Sequence, residues 1–260
     1  MPLSPPQIER YARHIMLREI GGPGQQRLLN AHVALVGAGG LGGPAALYLA
    51  AAGVGTITLI DDDAVSLSNL QRQILFSTGE IGAPKTSMGA ARLTGLNPDV
   101  RVIERRARLT AENAADLIGD AQFVLDGCDN FSTRFVVNDF CHAHARVLVS
   151  GAVGRWMGQV GVFASGVMKD GPQDDRLPCY RCLMPELPET EESCAEIGVV
   201  GPLTGIVGAR MALETVKEIT GAGDTQAGRL WVFDGLTGDG RTVRLPQDPA
   251  CPVCGQAPSS

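Results

Sequence analysis

A glycine-rich stretch near the start of the chain carries the first chemical signal. Gly37, Gly39 and Gly42 follow a short apolar, β-branched run and match the spacing G-x-G-x-x-G. An uncharged segment rich in Ala and Leu comes next and predicts a buried helix, and a second apolar run ends on Asp61, about twenty residues after the glycines. Such glycines let a backbone approach phosphate, the helix N-terminus offers free N–H groups, and the acid can hold ribose hydroxyls. The stretch therefore predicts a strand–turn–helix–strand unit that binds a nucleotide.

Charged residues after this unit bear on which nucleotide it binds. The glycine spacing alone is compatible with a dinucleotide, a mononucleotide or a tight turn without a ligand. Asp61, Asp62 and Asp63 bring more negative charge than one ribose needs, which points to a metal–phosphate ligand. Arg72 and Lys85 follow in predicted loops near the same sheet edge, where a bidentate guanidinium and a lysine would suit a triphosphate. The alternative for each of these two is an ordinary solvated surface charge.

A further acidic pair stands at the end of the predicted fourth strand. Asp126 ends the apolar run, and Asp129 comes shortly after it, just before a predicted helix. In an open α/β sheet ligands lie beyond the carboxyl ends of the strands, so either acid could reach a Mg²⁺ ion. The alternative is structural, since Asp129 or Asn130 would also serve as the N-cap of the helix. The residue types alone leave both interpretations of Asp129 open.

Cysteines provide the strongest structural signal. Cys179 and Cys182 form one C-x-x-C pair, and Cys251 and Cys254 form another. Together the pairs could supply four thiolates to one tetrahedral Zn²⁺, which would close the site and make it structural. A redox-active C-x-x-C is the rival interpretation, but thioredoxin-type motifs open a helix after a strand, and neither pair is predicted to do so. Zinc would tie the C-terminus back to a mid-chain loop.

The remaining cysteines and the histidines carry weaker signals. Cys194 follows an acidic, proline-containing segment and has no pairing partner. It is either a buried small hydrophobic residue or a thiol that takes part in acyl or persulfide chemistry. Cys128 and Cys141 are predicted to lie in the core or near the site, and the histidines show no ligand spacing.

Composition limits the class of protein. The 260 residues carry a net charge of −6, which argues mildly against a nucleic-acid or anionic-membrane partner. An apolar content of 44% is enough to build a core. The chain shows neither an apolar stretch of about 18 residues nor a signal or transit peptide, so we expect a cytoplasmic protein with no membrane partner.

Hydrophobic patterning predicts the elements that position these residues. Apolar strand runs alternate with helical segments as far as Val149, which predicts a Rossmann-like α/β fold with a mainly parallel, twisted sheet and helices on both faces. Later strands lack crossover helices and are expected to be antiparallel. Residues 1–30 are predicted to form an N-terminal helical arm, with a helix over residues 6–20 that ends at residues 21–24. Residues 31–260 are expected to form a single domain.

The motifs occur together in a particular order. The segments are Tyr11–His14, Gly37–Gly42, Asp61–Asp63, Ser68–Gln73, Pro84–Lys85, Asp126–Asn130 and the two cysteine pairs. In order and spacing they resemble the ThiF/MoeB/HesA family, the bacterial relatives of ubiquitin-activating enzymes, over nearly the whole chain. The resemblance implies a nucleotidyltransferase that adenylates the C-terminal Gly-Gly carboxylate of a ubiquitin-like sulfur-carrier protein and releases pyrophosphate. It implies ATP, Mg²⁺ and Zn²⁺ as cofactors.

The resemblance also implies roles for single residues. The nucleotide would contact Gly37, Gly39, Gly40, Gly42, Asp61, Asp63, Asn69, Arg72, Gln73 and Lys85, with Asp61 on the ribose and Asn69, Arg72 and Lys85 on the phosphates. Four residues would be catalytic, namely Arg13, Arg72, Lys85 and Asp129. Asp129 would be the Mg²⁺ ligand, and Arg13 would reach the neighbouring subunit's site across a homodimer. Cys194 falls in the family's crossover loop, expected at about residues 183–200, and takes part in chemistry in ThiF-like members while it is dispensable in MoeB-like ones. Residues 31–260 would be the ATP-binding adenylation domain, with a zinc-anchoring segment at its C-terminus.

The residues also bear on other classes of protein and on the identity of the partners. An NAD-dependent oxidoreductase would need a catalytic acid or base in the second half, and we recognise none there. A scaffold without activity is disfavoured by intact Arg72, Lys85 and Asp129. Segments similar to ThiF and to MoeB both occur, so the carrier is expected to be ThiS-like, for thiamine, or MoaD-like, for molybdopterin. No rhodanese domain is recognised, so sulfur is expected from a separate sulfur-donor protein.

Overall fold

The structure is a computed structural model that describes residues 2–172, 176–187 and 198–255. Cys194 and most of the expected crossover loop at 183–200 lie outside these residues. The strands are β1 (His32–Val36), β2 (Thr56–Ile60), β3 (Arg101–Arg105), β4 (Phe123–Asp126), β5 (Val147–Gly154), β6 (Met157–Phe163), β7 (Arg229–Asp234) and β8 (Gly240–Arg244). The helices are α1 (Pro5–Arg10), α2 (Ala12–Ile15), α3 (Gly21–Asn30), α4 (Gly42–Ala52), α5 (Lys85–Leu96), α6 (Ala114–Ile118), α7 (Phe131–Ala143), α8 (Tyr180–Leu183) and α9 (Gly201–Thr220).

The described strands form one eight-stranded sheet in the order β3-β2-β1-β4-β5-β6-β7-β8. The strands from β3 to β5 in this order run parallel, and β6, β7 and β8 add antiparallel beyond β5. Val36 on β1 pairs with Ile60 on β2 and with Asp126 on β4, so these three strands end level. The chain order reverses between β1 and β4, and a ligand crevice is expected at that edge. The predicted sheet, with its antiparallel C-terminal part, is confirmed.

Helices cover both faces of the sheet because its central strands are apolar on both sides. Val33 and Leu35 on β1 pack with α4, α5 and α9 in one core cluster. Ala34 and Val36, which point the other way, pack with α6 and α7 in a second cluster. This alternation with a period of two is what a buried strand requires. The two helical layers leave the carboxyl ends of the strands open above the sheet.

The N-terminal arm differs from the helix predicted over residues 6–20. The structure has α1, ended by Tyr11, and then the short α2. Tyr11 leaves helical geometry to bury its ring, which is 2% exposed, and its hydroxyl accepts a hydrogen bond from Asn97 Nδ2 at 2.9 Å. The prediction that residues 21–24 end the helical segment was wrong, because α3 begins there. Pro23 fits the first turn of a helix, where its missing N–H has no intrahelical partner to lose.

Within the described ranges, no helix combines the length and the apolar character that a membrane-spanning segment needs.

Candidate active site

A cleft of about 450 Å³ opens at the carboxyl ends of β1, β2 and β4. Its lining includes most of the residues predicted for the site, namely Gly37, Gly39, Gly40, Asp61, Asp62, Asp63, Arg72, Gln73, Lys85 and Asp129. These residues come from separate strand–helix junctions that the parallel topology brings to one edge. A volume of this size is within the range of small-molecule sites.

The glycine turn forms the floor of the cleft. Gly37 has a φ of 88°, and an added Cβ would lie 3.1 Å from the Gly127 carbonyl oxygen. Gly42 begins α4, and a Cβ there would overlap the Gly37 carbonyl oxygen at 1.9 Å. Among the described residues, no side chain caps α4, although the Gly43 and Ala45 N–H groups already donate to the Gly39 and Leu41 carbonyl oxygens and Pro44 has no N–H. The helix N-terminus still directs the positive end of its dipole toward the glycine turn. The turn therefore has the geometry expected of a phosphate-binding loop.

Asp61 ends β2 on one side of the cleft. Its two carboxylate oxygens accept hydrogen bonds from the backbone N–H groups of Ala38 at 2.8 Å and Asp63 at 2.9 Å. Burial raises the pKa of this carboxyl, and the positive charge of Lys85 and the two N–H donors oppose that rise. The side chain thus presents a carboxylate fixed against the glycine turn.

Lys85 lies deepest among the cationic residues of the cleft. Its side chain is only 4% exposed, and its Nζ lies 2.7 Å from Asp63 Oδ2, whose side chain is 64% exposed. Pro84 precedes α5 as its N-cap, and the helix ends at Leu96. The interpretation of Lys85 as a solvated surface charge is wrong, because burial and the acidic partner hold its ammonium group beside the cleft.

The loop before α5 carries the other predicted phosphate contacts. Arg72 is half-buried, and its Nη1 donates to the Ser68 carbonyl oxygen at 3.1 Å. Gln73 is buried, and within the described part of the chain no group donates to its Oε1. A buried amide oxygen without a partner at a cleft wall is suited to a ligand donor. Asn69 ends a 3₁₀ turn and is half-buried, but it does not line the cleft.

The structure separates the roles of the acids after β4. Asn130, and not Asp129, caps α7, since its Oδ1 accepts from the Thr133 N–H at 2.9 Å. Asp129 is exposed and lines the cleft. Asp126 is 1% exposed and is paired with Arg134 at 3.0 Å. The expectation that Asp126 could reach Mg²⁺ is therefore wrong, and Asp129 remains the candidate.

Some lining residues had no place in the predicted site. Arg134 follows Asp126 in the chain, and its Nη1 donates to the Asp126 carboxylate. Arg108 and Leu109 line the cleft just beyond β3. The rule that ligands lie beyond parallel strand ends could have indicated Arg108 and Leu109 from the sequence. Arg134 carries no comparable sequence signal, because its role depends on partners from other elements.

The four paired cysteines meet at a single point. Cys179 Sγ lies 3.5 Å from Cys251 Sγ, and Cys182 Sγ lies 3.3 Å from Cys254 Sγ. All four sulfur atoms lie within 4.8 Å of one another. A tetrahedral zinc–thiolate site has sulfur–sulfur edges of about 3.8 Å, so this donor set fits Zn²⁺. Cys179 does precede the one-turn helix α8, contrary to expectation, but it follows a loop and not a strand.

Two of the residues predicted for the site are not found in the cleft. Arg13 is exposed on α2 and does not line the cleft of its own chain. Cys194 lies outside the described residues, so its role stays a prediction.

Comparisons with known proteins agree on one family. The ThiF family matches residues 11–253. The sulfur carrier protein ThiS adenylyltransferase of Escherichia coli K12 is 45% identical over 246 residues, which cover 95% of this chain and 94% of the relative. The sulfur carrier protein adenylyltransferase of Thermus thermophilus is 42% identical over 255 residues, 97% of this chain and 93% of the relative.

A solved structure supports the fold. The crystal structure of E. coli MccB with MccA-N7isoASN superposes with a TM-score of 0.81 at 22% identity, and the match covers 96% of this chain and 75% of that one. Identity at this level establishes the fold alone. With the family match over residues 11–253 and curated relatives above 40% identity across nearly their whole lengths, the chain belongs to the ThiF family.

Proposed function

We propose that the chain adenylates the C-terminal Gly-Gly carboxylate of a ubiquitin-like sulfur-carrier protein, with ATP as the adenylate donor and pyrophosphate as the leaving group. The observation that carries the proposal is the arrangement of Asp61, Lys85 and Asp129 around one glycine-floored cleft. The names of the two curated relatives support the same reaction. They give no support to the NAD-dependent oxidoreductase alternative.

The chemistry needed is mainly the stabilisation of charge. A carboxylate is a poor electrophile, so it must become a mixed anhydride with AMP before sulfur can attack it. The carrier carboxylate attacks the α-phosphorus, and negative charge develops on the phosphoryl oxygens and on pyrophosphate. Arg72, Lys85 and the positive end of the α4 dipole would stabilise this charge. No general base is required, because the nucleophile is already ionised.

The cleft suggests how the nucleotide would lie. The carboxylate of Asp61 would accept from the ribose hydroxyls, and the phosphates would lie over Gly37–Gly42. Arg72, Gln73 and Lys85 would hold the phosphates, while Asp63 keeps Lys85 in place from the solvent side at 2.7 Å. We keep Asn69 as a phosphate contact that would require its loop to shift toward the ligand.

Metal ions fit at two places with different chemistry. The exposed carboxylate of Asp129 offers the oxygen ligand that Mg²⁺ prefers, and a magnesium ion there would offset charge on the departing pyrophosphate. The four thiolates fit Zn²⁺, which would be structural because no open coordination position remains. We therefore propose Asp129 as the Mg²⁺ ligand and the cysteine cluster as a zinc site.

We further propose that the protein works as a homodimer. Met16 and Leu17 are 75% and 49% exposed, and Tyr48, Ile206 and Leu213 on α4 and α9 are 60%, 44% and 50% exposed. Apolar exposure of this kind is typical of a protein interface. Arg13, which lies on α2 just before Met16 and Leu17, would then reach the cleft of the second subunit.

The carrier is proposed to be ThiS-like or MoaD-like, and the sulfur donor a separate protein. Cys194 is proposed as the residue that distinguishes the two routes. It would form a covalent sulfur-linked intermediate in a ThiF-like reaction and would be dispensable in a MoeB-like one. Comparing the Cys194→Ala variant with each carrier in turn tests this.

Carrier-dependent exchange between ATP and labelled pyrophosphate tests the proposed reaction. We expect exchange with a ThiS-like or MoaD-like carrier and a loss of at least about 10²-fold in Asp129→Ala, since a magnesium ligand is removed. Asp116→Ala, which removes an exposed acid on α6, is the matched control and should be unchanged. Near-normal exchange in Asp129→Ala would overturn the assignment.

A further inference from the structure

The loop between β4 and α7 is held at both of its ends. At its start, Asp126 Oδ1 accepts from the Cys128 N–H at 3.1 Å and from the Cys128 thiol at 2.6 Å. At its end, Asn130 caps α7 through the Thr133 N–H at 2.9 Å. Asp129 lies between these anchors with its side chain exposed. The position of its carboxylate therefore depends on how firmly the backbone on either side is fixed.

The Arg134 side chain binds both Asp126 and the backbone of the loop. Its side chain is only 6% exposed. Its Nη1 donates to Asp126 Oδ2 and to Ser150 Oγ, each at 3.0 Å, and its Nη2 donates to the Cys128 carbonyl oxygen at 2.6 Å. Ser150 in turn donates to Asp126 at 2.7 Å. A buried ion pair is stable only when such additional hydrogen bonds satisfy it, and here they tie the end of β4 and the middle of β5 to the loop.

Tyr180 connects Arg134 to the cysteine cluster. The ring is 3% exposed; burial raises the pKa of its hydroxyl, and the positive charge of nearby Arg134 opposes that rise. Tyr180 follows Cys179 directly, and its backbone N–H donates to Asn138 Oδ1 on α7 at 2.7 Å. The ring also makes an edge contact with Phe135, at 6.2 Å between centroids. The segment that carries the first cysteine pair is thus packed onto the same helix that carries Arg134.

We infer that Arg134 is a positioning residue that holds the Asp129 loop in place for Mg²⁺, and that Tyr180 supports it from the cysteine cluster. The inference rests on the proposed function for the identity of the ligand. Arg134 donates to the backbone of the loop and to Asp126, so it acts on the metal site through the loop. Residues that orient a metal ligand in this way typically change metal affinity by about 10- to 100-fold when they are replaced.

The test measures Mg²⁺ dependence and not turnover. A fluorescent ATP analogue is titrated into the full chain at increasing Mg²⁺, and amide hydrogen exchange is followed over residues 127–130. Arg134→Lys keeps the charge but cannot reach all of these acceptors, and we expect it to raise the half-saturating Mg²⁺ concentration about tenfold. Tyr180→Phe removes only the hydroxyl and should raise the half-saturating Mg²⁺ concentration about threefold. Both variants should exchange faster in the loop.

The control is another arginine–carboxylate pair in the same protein. Arg210 Nη2 lies 2.6 Å from Glu214 on α9, and Arg210→Lys should leave both readouts unchanged. An unchanged Mg²⁺ half-saturation in Arg134→Lys and Tyr180→Phe would overturn the inference. So would an equal loss of nucleotide affinity with and without Mg²⁺, which would mean that Arg134 binds phosphate directly. If Arg134→Lys does not fold, Tyr180→Phe alone tests the inference. Neither readout needs a carrier, so a failure of the proposed adenylation reaction can be distinguished from a failure of this inference.

Discussion

At the scale of single residues, Lys85 shows how the fold prepares a cation for a phosphate. Its stem is buried under the sheet edge while its ammonium group meets Asp63, which faces solvent. The same charge lies near Asp61. Burial raises the pKa of the Asp61 carboxyl, and the positive charge of Lys85 reduces that rise. The charge of one lysine thus balances two carboxylates, and it is suited to pair with a triphosphate as well.

We expect Lys85→Met to lower carrier-dependent ATP–pyrophosphate exchange by about 10²-fold, because a fixed positive charge at the developing phosphoryl charge is lost. The pKa of Asp61 should rise further, since an attraction that favours its ionised form disappears. Lys217→Met is the control, because Lys217 also pairs with an acid, Glu214, at 2.8 Å but lies on α9. Exchange in Lys85→Met that equals that of Lys217→Met would contradict the role.

The sequence could predict which residues lie at the strand ends, but not which of the acids there faces the cleft and which is buried in an ion pair. The strand-end rule brought Asp126, Asp129 and Asn130 to the right edge of the sheet. Which acid is free depends on Arg134 and Ser150, which lie on α7 and β5 and bury Asp126 between them. Such partners come from elements distant in the chain, so no local pattern of residues indicates them.

At the scale of elements, the cysteine cluster brings together two segments that are far apart in the chain. It joins α8 to residues 251–254, and α8 is packed on α7 through Arg181 and Asp139, whose charged groups approach to 2.7 Å. A structural zinc site of this kind stabilises by on the order of 10 kcal/mol at pH 7. The metal would therefore hold the C-terminal segment against the core.

We expect freshly purified protein to contain about one zinc per chain. Removal of the metal with a chelator should lower the melting temperature and expose residues 251–254 to proteolysis, because the thiolates then lose their shared ligand. Cys251→Ser should reproduce the loss, whereas Cys141→Ser, at a buried cysteine on α7, should retain the zinc. Metal analysis that gives less than about half an equivalent of zinc would count against the site.

The helices and strands could be predicted wherever the apolar residues recur with a regular period. Strands β1, β2 and β4 were visible as apolar runs. The N-terminal arm was harder, because Tyr11 interrupts a helical pattern to reach Asn97, and this contact lies far along the chain. Gly24 was also misleading, since it lies inside α3, where an added Cβ would meet Ile20 Cγ2 at 2.9 Å. Tertiary packing decides both cases.

At the scale of the whole molecule, the proposed dimer would complete each cleft with an arginine from the other subunit. Arg13 does not line the cleft of its own chain, whereas Arg72 and Lys85 do. The exposed apolar side chains on α4 and α9 give a surface that a second copy could cover. A site shared in this way makes activity depend on association.

A heterodimer of two inactive variants tests this arrangement. Arg13→Ala and Asp129→Ala chains with different tags are co-expressed, and the doubly tagged dimer is isolated. If Arg13 acts across the interface, one site of each heterodimer has both groups intact, and exchange should return to about half of the wild-type value. If Arg13 acts within its own chain, both sites are defective and exchange stays at the level of the parent variants. A monomer in light scattering would exclude the arrangement.

The most direct test of the central claim is the mass of the carrier after reaction. The protein is incubated with Mg²⁺, labelled ATP and a ThiS-like or a MoaD-like carrier that ends in Gly-Gly, and the intact carrier is weighed by mass spectrometry. We predict a carrier heavier by one AMP, labelled from ATP, that forms with wild-type protein and fails to form with Lys85→Met or with a carrier lacking the terminal glycine. An unmodified carrier from wild-type protein that binds ATP, across both carrier types, would contradict the account.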